Sequence, residues 1–417
     1  MVEVFARSGP ALHVEQVALG AIAEQTGTPC YVYSRAGIES NWRAYDLGFG
    51  DHPHAICYAV KANSNLGVLR LLADLGSWFD IVSGGELERV LLAGGRADRI
   101  VFSGVAKTRG ELERAIEVGI HCFDVESTAE LERLNHIAMG LGQTAPVALR
   151  INPDVDAGTH PYIATGLKET KFGIGFDEAI PVYRVAADMP GIRITGIAAH
   201  IGSQITELSP FQDALDRMLG MVAELDDEGI PVRHLDIGGG LGIRYQDETP
   251  PAARGLIEGL VDRVHRYRDD LALYIEPGRS IVGSAGVLLT TVEYLKSNAD
   301  KHFAVVDAGL NDLLRPALYN AWQNIVPVTE NPTAVYRDYD VVGPVCETGD
   351  LLGSRRNLAI AEGDVLAILD AGAYGHVMSS NYNSRPRPPE VLVDGDVFRV
   401  VRRRETIGDM TAAEELP

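Results

Sequence analysis

One alternation constrains this chain more than any other feature. From residue 54 onward, short β-rich runs recur: HAICYAVK, WFDIVS, IVFSG, CFDVES, VALRINP, ITGIAAHIG, HLDIGGG and LALYIEPGR. Between them lie stretches of helical length, such as NLGVLRLLADLG, ELERVLLAGG, TAELERLNHIAMGLG and ARGLIEGLVDRVHRYR, with apolar residues at i, i+3, i+4 and i+7. A strand followed by a crossover helix returns parallel to its neighbour. Eight consecutive units of this kind over residues 36–283 predict an α/β fold, a TIM (β/α)8 barrel, rather than an open doubly wound sheet.

After about residue 284 the texture changes to alternating apolar runs, VLLTTVEYLKS, HFAVVDAGL, AVYRDYDVVG, DVLAILDAGAYG and DVFRVVRRR, separated by turns such as EGD and DGD. This predicts a second, mainly antiparallel β domain built from residues 1–35 and 284–417, with the early PCYVYS segment pairing into it. A chain of 417 residues is long enough for both. The acidic tail GDMTAAEELP is expected to fray.

Lys and Arg number 37 against 58 Asp and Glu, a net charge of −21, which argues against nucleic acid or an anionic membrane surface as partner. The opening MVEVFARSGPALHVEQV lacks a basic stretch followed by an apolar run, and no run reaches the length of a membrane span, so a soluble cytoplasmic protein is expected. Cys30, Cys57, Cys122 and Cys346 are far apart and form no CxxC pair. Neither a disulfide framework nor a metal site is suggested.

Active sites of such barrels lie at the C-terminal ends of the strands. Those ends carry Lys61, Asp80 with Ser83, Gly104, Asp124 with Glu126, Asn152, His200 with Ser203, the run Gly238, Gly239 and Gly240, and Glu276 with Arg279. An amine at the mouth of an apolar strand, as at Lys61, is partly desolvated and can bond covalently to a carbonyl, although a lysine reaching out to solvent reads the same way. LDIGGGLG ends the seventh strand, where barrels commonly place a phosphate; a tight turn without ligand is the alternative, and the spacing is not that of a dinucleotide fingerprint. An amine for an aldehyde and a cradle for a phosphate on one barrel face together point to pyridoxal 5'-phosphate. Glu276 supplies a carboxylate for the pyridine nitrogen, and His200 an imidazole that can stack on the ring.

Together YAVKAN, FDIVSGGEL, HIGSQI, LDIGGGLGIRY, EPGRSIVG, LRPALY, GPVCETGD, DAGAYG and NYNSRPRPPEVLVDG resemble the fold type III pyridoxal-phosphate enzymes, and within them the diaminopimelate decarboxylases, nearly end to end. The resemblance implies an enzyme, a carboxy-lyase that converts meso-diaminopimelate to L-lysine and CO2 in the last step of lysine biosynthesis. It implies Lys61, His200 and Cys346 as catalytic residues, Cys346 being the acid that protonates Cα. It implies that the cofactor is held by Lys61, as its Schiff-base lysine, with Asp80, His200, Ser203, Gly238 to Gly240, Glu276, Gly278, Arg279 and Tyr374. Arg279, Arg315, Tyr319, Glu347 and Tyr374 would receive the substrate, and a planar guanidinium suits its distal carboxylate. Cys346 and Glu347 would come from the partner subunit, so the barrel binds the cofactor and the β domain supplies substrate and dimer-interface residues of a homodimer with shared sites.

Three other readings stand beside this one: a decarboxylase of another basic amino acid or carboxylated polyamine, a racemase, and a non-catalytic relative that binds the cofactor. For Cys346 the bland alternative is a buried small hydrophobe. The polar, Gly-punctuated segment within 153–175 reads as a lid or as a static surface loop.

Overall fold

The structure, a computed structural model, describes residues 4–155, 171–299 and 301–417. The segment read as lid or loop falls largely outside the described residues. The chain divides into two compact units, Asn41–Ile243 with Thr249–Ser280, and Met1–Ser40 with Arg244–Glu248 and Ile281–Pro417.

The first unit is the barrel. Its strands are β1 (His54–Ala59), β2 (Trp78–Ile81), β3 (Ile100–Phe102), β4 (Cys122–Val125), β5 (Ala145–Asn152), β6 (Ile192–Ala199), β7 (His234–Asp236) and β8 (Ala272–Ile275). Each pairs in parallel with the next, and β8 pairs with β1, which closes the cylinder. The helices between them begin where the sequence supplies an oxygen for the orphan N–H groups of a first turn. Asn65, Ser83, Thr108 and Ser127 accept from Gly67, Glu86, Glu111 and Glu130 respectively. The helix Ala253–Tyr267 turns Leu256, Ile257, Leu260, Val261 and Val264 inward, one face at helical spacing.

Successive side chains of a strand alternate between barrel interior and helix layer. Ala55, Cys57, Val101, Cys122, Ala148, Ala198 and Tyr274 form one buried apolar cluster with Trp78, drawn from seven strands and closing the lumen. Two residues further along, the same faces carry polar groups: Asp80 after Trp78, Ser103 after Val101, Asp124 after Cys122, Arg150 after Ala148, His200 after Ala198 and Glu276 after Tyr274. The barrel therefore has an apolar plug below and a polar layer above it.

The second unit is a mixed sheet in which antiparallel pairs predominate. Cys30–Ser34 pairs antiparallel with the long strand Gly286–Asn298 and parallel with Glu390–Asp394, so the early PCYVYS segment does join this sheet. Val14, Leu19, Ile22, Val32, Val287, Leu289, Val391 and Val393 pack into its core. Leu351–Leu358 and Glu390–Asp394 are strands that the alternation argument passed over. LLGSRRNL breaks its alternation with paired arginines, and EVLVD is too short to stand out. The first part of the tail is ordered as a helix, Ile407–Thr411, where fraying was expected, and residues 412–417 beyond it are exposed and without regular structure. Thr406 and Asp409 cap it reciprocally, and Arg403 Nη2 donates to Asp409 Oδ1 at 2.7 Å. Among the described residues no helix is long and apolar enough to cross a membrane.

Candidate active site

Lys61 sits in a 3-10 turn, Val60–Ala62, directly after β1. Its Nζ donates to Asp80 Oδ2 at 2.5 Å; the aspartate is fully buried and the lysine side chain is 35% exposed. The amine is thus held by a carboxylate from the neighbouring strand rather than by apolar surroundings alone. Gly278 allows this turn to form: a Cβ there would lie 2.8 Å from Ala62 Cβ and 3.1 Å from Ala59 Cβ. Beside them Glu86, in the first turn of the helix Gly84–Leu92, accepts from the Val82 N–H at 2.7 Å, and burial pushes its carboxyl up to about 7.

The glycine run packs tightly. A Cβ on Gly238 would meet Ala199 O at 2.5 Å, on Gly239 Glu276 O at 2.1 Å, and on Gly240 Gly202 O at 2.5 Å, while Gly238 and Gly240 hold φ of +72° and +112°. Close backbone packing therefore requires glycine at all three. The Gly238 N–H donates to Asp236 Oδ1 at 2.9 Å, and the Gly239 N–H to His200 Nδ1 at 3.1 Å. That second bond makes Nδ1 an acceptor and fixes a neutral imidazole with its proton on Nε2. Desolvation, followed by the charges of Arg150 and Lys61, holds the His200 pKa well below its ordinary value.

Glu276 is buried, and burial raises its carboxyl pKa well above the usual range; the charges of Asp80 and Asp236 act in the same direction and Lys61 opposes them. Ser103 Oγ lies 3.2 Å from Glu276 Oε1 and 3.2 Å from Asp124 Oδ2. Asp236 is pushed up to about 7 by burial, against the Gly238 N–H that lowers it. Arg279 is buried and donates from Nη2 to Ser203 Oγ at 2.9 Å.

Behind this layer, Arg150 Nη1 pairs with Glu126 Oε1 at 2.8 Å, and Lys107 Nζ, with no exposed side-chain surface, pairs with Glu130 Oε1 at 2.7 Å. Sequence reasoning gave no role to Ser103, Arg150, Asp236, Lys107 or Glu86. The two-residue step from the apolar plug reaches Ser103 and Arg150; Asp236, Lys107 and Glu86 carry no such signal. Ser83 and Asn152, both strand-end candidates, serve local structure, Ser83 as a helix cap and Asn152 by accepting from the Asp154 N–H at 3.0 Å.

The remaining candidates belong to the second unit. Arg315 opens the short helix Arg315–Tyr319, is buried, and donates from Nη1 to Tyr245 Oη at 2.8 Å with its guanidinium 4.7 Å from the center of that ring. Tyr319 closes the same helix. Cys346 is exposed, unlike the other three cysteines, which removes the buried-hydrophobe alternative. Its N–H donates to Asn383 Oδ1 at 3.2 Å, and the neighbouring Glu347 Oε1 accepts from Tyr382 Oη. Tyr374 holds φ of +55°, a left-handed conformation uncommon for a tyrosine.

Residues 35–283 match the family model for the pyridoxal binding domain of pyridoxal-dependent decarboxylases. A diaminopimelate decarboxylase of Pseudomonas aeruginosa is 59% identical over 414 residues, 99% of either chain. The chain belongs to the diaminopimelate decarboxylase family. Among solved structures of the family, the enzyme of Helicobacter pylori complexed with L-lysine superposes with a TM-score of 0.91 at 41% identity, covering 95% of this chain and 99% of that one. That of M. jannaschii in co-complex with L-lysine gives 0.95 at 38% identity, covering 100% and 98%.

The family's cofactor, pyridoxal phosphate, fits the residues present. An amine and a buried carboxyl lie on one polar layer, and the buried oxygens Asp80 Oδ1, Asp124 Oδ1 and Asp236 Oδ2 there have no hydrogen-bond partner among the described residues. This is the donor set an aldehyde and a basic ring nitrogen require.

Proposed function

We propose that the chain decarboxylates meso-diaminopimelate, releasing L-lysine and CO2, with pyridoxal phosphate joined to Lys61. Its end-to-end identity of 59% with a diaminopimelate decarboxylase carries this reading. The bound cofactor supplies a protonated ring that takes up the electron pair left on Cα as CO2 departs. Glu276 keeps the ring nitrogen protonated, and His200, neutral and tethered to the Gly239 N–H, covers a ring face without adding a competing charge. Asp80 orients the Lys61 amine. Ser203 and the Gly238 to Gly240 segment receive the phosphate; since the N–H groups of Gly238 and Gly239 serve Asp236 and His200, and those of Gly242 and Ile243 serve Ile205 O and Gln204 Oε1, the Gly240 and Leu241 N–H groups are the donors we assign to it.

Arg279, Arg315 and Tyr319 receive the carboxylate at the far end of the substrate, and Glu347 its ammonium, a combination suited to a substrate with both groups. Cys346 returns the proton to Cα, and Tyr374 contacts the cofactor. The barrel unit would bind the cofactor and the sheet unit present the substrate residues, Cys346 and Glu347 completing the site of the partner subunit in a cytoplasmic homodimer. Incubating the purified protein with pyridoxal phosphate and meso-diaminopimelate tests the reading: CO2 and lysine in equal amounts are expected. Release of CO2 from ornithine, arginine or a carboxylated polyamine but not from diaminopimelate would overturn the substrate, and no CO2 from any of them would overturn the activity.

A further inference from the structure

We propose that Asp124 is a positioning residue that carries a proton and, through the Ser103 hydroxyl, holds Glu276 as the ionised partner of the cofactor ring; this rests on the assignment of Glu276 to that ring made above. Ser103 Oγ lies 3.2 Å from one oxygen of each acid. A hydroxyl has one proton to donate and otherwise accepts. If it donates to Glu276, the contact with Asp124 closes only when Asp124 donates its own proton to Ser103. Were both acids ionised, one contact would set two lone pairs against each other.

The charges around the pair lead the same way. Lys61 is paired with Asp80, Arg150 with Glu126 and Lys107 with Glu130. These three cations thus each have a carboxylate partner of their own. That leaves Asp124, Asp236 and Glu276, whose carboxyl oxygens lie within 4.8 Å of one another in a buried site. Three carboxylates so close cannot all ionise, and the cluster shares its protons. Asp236 has the Gly238 N–H to stabilise its charge. Glu276 gains a ring N–H when the cofactor binds. Asp124 has neither, and its Oδ1 is buried without a hydrogen-bond partner, which a neutral carbonyl oxygen tolerates better than a charged one. Lys107 fixes the residue from behind by donating to the Asp124 main-chain oxygen at 2.6 Å. The relay runs from the Asp124 carboxyl proton to Ser103 Oγ and from the Ser103 proton to Glu276, leaving the glutamate both ionised and oriented.

Infrared spectroscopy of the holoenzyme tests this. A protonated-carboxyl C=O band is expected that shifts when the aspartates carry a 13C-labelled carboxyl, moves in Ser103→Ala and vanishes in Asp124→Asn. The amide of Asp124→Asn still donates to Ser103, so its affinity for pyridoxal phosphate should stay within about threefold of the parent, whereas Asp124→Leu should lose about tenfold or more. Absence of any label-sensitive protonated band, a band unmoved by Ser103→Ala, or equal affinity for the Asn and Leu variants would overturn the proposal. If Asp124→Asn does not fold, the label and Ser103→Ala still decide it. Glu276→Gln separates this from the underlying assignment: unchanged cofactor absorption and affinity in that variant would refute the role of Glu276 whatever the Asp124 band does.

Discussion

Lys61 is held in place by its immediate surroundings. Asp80 fixes its ammonium, Gly278 makes room for its turn, and the 3-10 geometry of Val60–Ala62 swings it off the strand axis. Lys61→Ala is therefore expected to lose covalently held cofactor, to reduce turnover by orders of magnitude and to lower the melting temperature, because the buried Asp80 carboxylate loses its countercharge; parent-like turnover would refute its role. Asp80→Asn leaves the amine without its countercharge and should weaken cofactor retention, measured by equilibrium dialysis. At this scale the sequence singles out Lys61, Glu276 and His200 because the proposed chemistry demands their residue types. It was silent where a residue acts through another: Ser103 looks like any serine until Glu276 and Asp124 are found on either side of it.

The strands show why one barrel end is reactive and the other inert. At the apolar end His234 stacks on Tyr274 at 4.4 Å between ring centers, and His121 Nε2 lies 3.1 Å from Tyr274 Oη. Burial lowers the His121 pKa to about 4, helped by Arg193 and opposed by Asp98, and lowers that of His234 to about 3, helped by His121. Both depressed values mean that the unfolded chain binds more protons below an ordinary histidine pKa of about 6.5, so stability is full above that pH and declines as pH falls towards about 4 and below. His121→Phe should flatten this part of the melting-temperature profile; a profile unchanged between parent and variant would contradict the assignment. Gly196 lies against the same histidine, with its missing Cβ 2.2 Å from His234 Nε2, so Gly196→Ala should destabilise by about 1–3 kcal/mol in urea unfolding. The element pattern was the most legible part of the chain, because a parallel barrel needs eight apolar runs at regular spacing. What escaped was short or charge-interrupted, as at Glu390–Asp394 and Leu351–Leu358, where pairing with neighbouring strands outweighs weak local preference.

For the whole molecule, the proposed division of labour between barrel and sheet predicts a specific dependence on assembly. If Cys346 serves the partner's cofactor, Cys346→Ala keeps its cofactor spectrum and loses turnover by orders of magnitude. Mixing it with inactive Lys61→Ala should then restore about one quarter of parental activity, since half of randomly exchanged dimers carry one intact site. No recovery after subunit exchange would contradict a shared site. The substrate side of the site was legible only through family resemblance, because arginines and tyrosines on loops carry no periodic signal of their own.

The central claim is that the amine after β1 is the one that captures the cofactor aldehyde. Borohydride reduction of the holoenzyme followed by peptide mapping tests it directly. The account predicts a single pyridoxyl adduct, on Lys61 in the peptide containing YAVKAN; an adduct on Lys107 or another lysine, with Lys61 unmodified, would contradict it.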